Sequence, residues 1–381
     1  MLEPEVLTDL RQAITQRTRA DRGLLETLRA QVRDLSSHVR SIKPRTSTAI
    51  SLVASDGGNN QLVFDPFFIQ VVQVVDSYGK QLCVDAVSPN TDTGELSRAQ
   101  FDSNGEPRTA LGVMMRDLGV STLSSLSPMI PSAVRSTAGA ESARWTVAYR
   151  DLCEWAALYE RVCHHTFATD TVFLRDGLLR SNLFREGLFV ELRGLLETAI
   201  AAIRLRDRRS VFVAGIAKQS KVLSRYSLAM ALENTLPPGE PRYVRIPRNM
   251  EAESYVWEEW TRGRGREDER EPKFAFGDMY FARFGHRRGD PIWVVDILSS
   301  QSHQAAEILG HLYADAVNGF PVPFYPLCLQ RAHEHAQVAE FDLAILQDVV
   351  IDAIRSELPL TSHDVLDAIQ FGLEAGRRRF Q

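Results

Sequence analysis

The chain has 381 residues, 44% of them hydrophobic and 24% charged, with 49 acidic against 44 basic side chains and a formal net charge of −5. That is enough chain for one large α/β core with insertions, and the acidic balance excludes a global basic field that would draw nucleic acid to the surface. The four cysteines, Cys83, Cys153, Cys163 and Cys328, include no CxxC pair, and no apolar run reaches the roughly 18 residues of a membrane span; a zinc site, a disulfide scaffold and membrane insertion are therefore not expected, and a reducing cytoplasm is.

Residues 1–42 predict one or two helices, with Leu25, Leu28, Val32, Leu35, Val39 and Ile42 at the spacing of a heptad seam. The seam suits either a second helix of the same chain or a second subunit, and Pro44 ends it. Next comes Ile50-Ser51-Leu52-Val53-Ala54-Ser55-Asp56-Gly57-Gly58, an apolar β-branched run closing on one acid and two glycines. It predicts a buried strand that ends at Asp56 in a sharp turn. Strands over 67–75 and 81–87 then suggest a meander.

Residues 88–144 are rich in Ser, Thr, Pro and Gly and read as a long loop with one short helical piece near 109–118. A helix over 143–163 carries Arg150, Asp151, Glu154 and Glu160. The strand Thr171-Val172-Phe173-Leu174-Arg175-Asp176-Gly177 repeats the earlier pattern of an apolar run before Asp-Gly. Beyond it a helix is expected over 184–206, strands over 210–216, 278–284 and 292–298, a solvated charged loop over 262–271, and helices over 302–317, 330–355 and 363–378.

Two strands that each end in Asp-Gly, with an acid-bearing helix between them, offer carboxylates on rigid elements. Mg²⁺ and Mn²⁺ prefer oxygen ligands, and two such ions about 3.5–4 Å apart can prepare a water and steady a leaving oxygen in phosphodiester hydrolysis. Asp56 and Asp176 are the central candidates, with Glu154 or Glu160 as a third ligand. Near the C-terminus three prolines, Pro321, Pro323 and Pro326, fix an extended path that presents Tyr325 and His333. Lys218, just past a strand, can meet a phosphate as a point charge or simply be exposed.

The order of these motifs resembles the NurA nuclease family, the partners of HerA-type DNA translocases. The resemblance rests on the strand with Asp56-Gly57, the Arg-x-x-x-Glu of Arg150 and Glu154, and Asp176-Gly177-Leu178-Leu179. It continues in Gly215-x-x-Lys218 and in Tyr325-Pro326-Leu327-x-Leu329…Ala332-His333, so that it spans roughly residues 50–335. It implies an RNase H-like mixed sheet with flanking helices, Mn²⁺-dependent cleavage of DNA ends, a homodimer and a hexameric ATPase that feeds DNA to it. Asp56, Glu154 and Asp176 would hold metal, Tyr325 and His333 would complete the site with His333 as ligand or proton carrier, and Lys218 would lie near the scissile phosphate. Gly58 and Leu178 stand where the family usually has Ser.

The expected organisation is an N-terminal helical arm over 1–45 and an α/β nuclease domain over 46–381, with insertions at about 88–144 and 237–275. The expected activity is metal-dependent DNA hydrolysis with a HerA-type partner, in repair or in defence against foreign DNA. Two other readings are a non-catalytic docking partner that regulates the ATPase, and a phosphoesterase acting on RNA or nucleotides.

Overall fold

A computed structural model of the chain describes residues 4–45, 50–64, 67–132, 144–185, 187–255, 274–337, 340–357 and Pro359. The strands are β1 (Arg40–Ser41), β2 (Ile50–Phe64), β3 (Phe67–Asp76), β4 (Gln81–Val87), β5 (Asp170–Asp176), β6 (Val211–Ala217), β7 (Arg242–Arg245), β8 (Gly277–Arg283) and β9 (Ile292–Leu298). They form one mixed sheet in the order β1-β7-β8-β9-β6-β5-β2-β3-β4. β2, β5 and β6 run parallel at its centre, and the other pairings are antiparallel.

The central strands are buried on both faces, which is why β5 and β6 read as continuous apolar runs rather than alternating ones. On one face Phe173 and Val213 pack beneath α6 (Arg144–His164) and α7 (Leu188–Arg206). Trp155 of α6 meets Phe189 and Phe276 edge-on at 5.2 and 5.1 Å between ring centres. Further along that face α2 (Arg22–Ser36) and α8 (Lys221–Glu233) cover Met279, Phe281 and Val294. On the opposite face Val172, Leu174, Ala214, Ile216 and Val295 lie under α10 (Ala305–Ala316) and α11 (Leu327–Ala336). No helix among the described residues is long and apolar enough to cross a membrane.

Several expectations change. β2 does not end at Asp56: it runs on to Phe64, paired with β3 through Gly57 and Gly58. The glycines allow close approach rather than a turn. A Cβ on Gly57 would overlap the Glu154 carboxylate, and one on Gly58 would overlap the Ala336 carbonyl oxygen. In the expected loop over 88–144 the short helical piece near 109–118 is α4 (Ala110–Asp117), and α3 (Thr93–Arg98) and α5 (Leu123–Leu126) add to it, each of the three opened by a side-chain cap from Asp92, Thr109 or Thr122. Helices of four and six residues are too short for their periodicity to show.

After β6, Ser220 Oγ accepts from Leu223 N and starts α8, a helix that carried no expectation from the sequence. The insertion expected at about 237–275 contains β7 and α9 (Arg248–Ser254). The single helix expected over 330–355 is two, α11 and α12 (Glu340–Glu357), because Gln337 is extended. The heptad seam resolves within the chain: Leu28, Val32 and Leu35 of α2 pack on Val222, Tyr226 and Met230 of α8. β1 then pairs with β7. The charged loop over 262–271 and the helix expected over 363–378 lie outside the described residues.

Candidate active site

Parallel pairing places the two acids. β2 and β5 are in register from Ile50 opposite Asp170 to Ser55 opposite Arg175. Asp56 and Asp176 are the next residue on each strand, so their side chains leave the same face on neighbouring strands, about 4.8 Å apart in the sheet. β5 stops there at Gly177, whose φ of 115° favours glycine, while β2 continues beside β3.

α11 lies across that face and brings His333 over the pair. His333 Nδ1 is 2.6 Å from Asp56 Oδ2, while Asp56 Oδ1 accepts from Gly57 N at 2.8 Å. One ligand atom from each of Asp56, Asp176 and His333 lies within 4.8 Å of the others. The His333 side chain is 48% exposed, so the cluster opens to solvent on one side. Its Nε2 is 3.1 Å from Gln337 Nε2, which fits an Nδ1–H donated to Asp56 and an Nε2 lone pair available to an amide, a proton or a metal.

The extended path before α11 seats Tyr325, which is fully buried. Its Oη donates to Asp176 Oδ1 at 3.0 Å, and its ring meets Trp293 edge-on at 5.0 Å. Burial, with the Asp176 charge second, pushes the phenol pKa well up, so Tyr325 acts as a fixed donor to Asp176 and not as a base. Lys218 stands two residues beyond Ile216, the partner of Asp176 on β6. Its Nζ is 2.9 Å from Asp176 Oδ2 and 5.1 Å from the Tyr325 ring centre. Burial above all, and then the neighbouring Asp176 charge, raise the Asp56 carboxyl above its ordinary value, against the pull of His333 and Lys218. A cation between the two carboxylates would relieve that repulsion.

Glu154 is not brought into this cluster. It approaches from the α6 face, the side to which alternation sends Gly57 and Arg175. Its Oε2 is 3.0 Å from Arg175 Nη2, and its Oε1 is 3.4 Å from Arg150 Nε. Burial pushes its carboxyl up to about 8, although Arg175 and Arg150 both pull it down. Glu160 is farther along α6 and pairs with His165 at 2.9 Å. Of the two, Glu154 is the one that lies against the Asp56 strand.

Two members of the site carried no expectation from the sequence. Arg175, 9% exposed, holds Glu154 and also donates to the Leu178 carbonyl at 3.2 Å. The only signal for it was an arginine in an otherwise apolar strand, immediately before Asp176. Gln337 gave none.

No protein-family model matches the sequence, and no curated protein matches it. Crystal structures of NurA nucleases resemble the chain over most of its length. The NurA nuclease from Sulfolobus solfataricus is 14% identical, with a TM-score of 0.42, and the match covers 94% of this chain and 99% of that one. A NurA bound to dAMP and manganese is 12% identical, with a TM-score of 0.42 and coverage of 90% and 97%. A NurA with manganese is 12% identical, with a TM-score of 0.40 and coverage of 90% and 98%. Likeness of that size assigns no activity, which has to come from the side chains.

Proposed function

We propose that this chain is a divalent-metal-dependent nuclease that hydrolyses DNA phosphodiester bonds, on an RNase H-like sheet. The observation that carries the reading is the convergence of Asp56, Asp176 and His333, from two parallel strands and a distant helix, on one point within 4.8 Å. Two carboxylates and an imidazole suit Mn²⁺, and Mg²⁺ is the all-oxygen alternative.

A cation held there supplies Lewis acidity towards a phosphoryl oxygen and a more acidic water. The remaining tasks fall to the chain. Asp56 and Asp176 provide the negative charge that holds the cation, and Tyr325 keeps Asp176 in one orientation. Lys218, now paired with Asp176, is the ammonium available to a substrate phosphate. His333 Nε2 is placed either to bind metal or to move a proton, with Asp56 orienting the ring through Nδ1. Glu154, the third acid that the motif order implies, is held on the α6 face of β2 by Arg175 and Arg150 and would join the ligand set only by leaving them.

The motif order in the sequence supports the finer assignments: action on DNA ends, a homodimer, a HerA-type hexameric ATPase, two metal ions, a cytoplasmic setting, and a role in repair or defence. A net-acidic chain gains from such a partner, because a translocase channel supplies the positive field. The same order supports an arm over 1–45 before a nuclease domain over 46–381.

The retention of Glu154 by two arginines favours a second reading, a non-catalytic partner of the ATPase. The experiment is digestion of end-labelled linear DNA in Mn²⁺, with and without a HerA-type ATPase, for wild type, Asp56→Asn and Asp176→Asn. Cleavage that both substitutions abolish, with circular dichroism unchanged, supports the nuclease. Binding of the ATPase with no cleavage under either condition supports the docking partner.

A further inference from the structure

A cavity of about 500 Å³ lies away from this site, between β4 and α6, at the outer edge of the sheet. Tyr149 and Cys153 are four residues apart on α6 and share a face. Cys83 and Asp85 are two apart on β4 and share a face. Tyr149 Oη donates to Asp85 Oδ2 at 2.7 Å. In that register, with Tyr149 held on Asp85, Cys153 comes opposite Cys83 across the same cavity. Neither sulfur is in a disulfide. Cys153 is buried in the core, whereas Cys83 is half-buried, and both line the cavity beside Lys80, Arg108 and Arg161. Cys153 lowers the Cys83 thiol, against burial and the Asp85 charge, which both raise it.

We propose that Cys83 and Cys153 are a reversible disulfide site, Cys83 being the thiol that reacts first with a hydroperoxide and Cys153 the one that resolves it. The Cys83 sulfur attacks one oxygen of hydrogen peroxide, the O–O bond breaks, and the departing hydroxide leaves as water with the Cys83 proton. The product is a sulfenic acid. The Cys153 sulfur then attacks the Cys83 sulfur, the S–O bond breaks, and a second water leaves with the Cys153 proton. Two thiols are oxidised, one peroxide is reduced to two waters, and an external dithiol reverses the bond by exchange. The bridge ties the edge strand β4 to the helix that carries Glu154. It closes a long loop in the unfolded chain, which stabilises the fold. The site stands whether or not the chain cuts DNA.

The test is to treat the folded full-length protein with hydrogen peroxide and map its peptides without reduction. The expected result is loss of two hydrogens, a linked peptide pair containing Cys83 and Cys153, and a higher unfolding temperature, all reversed by dithiothreitol. In Cys153→Ser, dimedone should label Cys83. Oxidation that leaves these two cysteines unlinked overturns the proposal, as does dimedone labelling of Cys163 with Cys83 unlabelled. The mapping uses the wild-type chain, so it decides the matter even if Cys153→Ser fails to fold.

Discussion

His333 Nδ1 lies 2.6 Å from Asp56 Oδ2, a contact between helix α11 and strand β2 across 277 residues of sequence. It fixes one nitrogen of the ring and leaves the other turned towards solvent and Gln337. The same contact makes the carboxylate pair sensitive to where α11 sits.

If this cluster holds Mn²⁺, Asp56→Asn should weaken the affinity measured by titration calorimetry by more than the roughly 10- to 100-fold that changes around a ligand cost. Mn²⁺ should also raise the unfolding temperature of wild type by mass action, and leave the variant unmoved. Equal affinities in the two proteins would remove Asp56 from the ligand set.

Tyr325→Phe keeps the ring against Trp293 and Lys218 but deletes the donor to Asp176. Stability should fall by about 1 kcal/mol, the net worth of one hydrogen bond. For a positioning residue, kcat and Mn²⁺ affinity should drop while KM for DNA holds. A rise in KM alone would mean that Tyr325 contacts substrate.

Gly57→Ala and Gly58→Ala should differ. The first would push on the Glu154 side chain and the second on the Ala336 main-chain carbonyl of α11. Overpacking costs about 1–3 kcal/mol, and a helix backbone yields less than a carboxylate. Urea denaturation should therefore rank Gly58→Ala as the more damaging, with weakened Mn²⁺ binding because α11 carries His333. The reverse ranking would contradict the packing described.

The N-terminal helices give a pH prediction. Arg29 Nε and Arg33 Nε lie 2.6 and 2.7 Å from the two oxygens of Glu233, clamping α2 to α8. The hydrogen bonds from Arg33 and Arg29 lower its carboxyl from 4.5 to about 2. A folded value below the unfolded one means that the contribution is complete above about 4.5 and is lost as pH falls through about 2. The stability gap between wild type and Glu233→Gln should close across that window in denaturation series. A gap independent of pH would assign the clamp to packing alone.

Elements with a strong local signature were legible in the sequence. The strand expected over 292–298 is β9 residue for residue, and the helix expected over 143–163 is α6 shifted by one residue. Apolar runs and 3.6-residue periodicity come from burial of a whole face, which acts on every residue of the segment. Short capped helices escaped because a cap is one side chain and one hydrogen bond, as at Thr122 and Ser220. The break at Gln337 escaped because apolar periodicity continued on both sides of it.

The sequence by itself determined that two strands would each carry an acid before a glycine, and that Tyr325 and His333 would be offered by a proline-stiffened segment. It could not determine which acids meet. Parallel register put Asp56 beside Asp176, and α11 laid His333 on the same face. Alternation along β2 and β5 left Glu154 on the other face with Arg175. Which face a side chain leaves, and what lies across from it, depends on pairings between strands more than a hundred residues apart, and only the assembled sheet decides them.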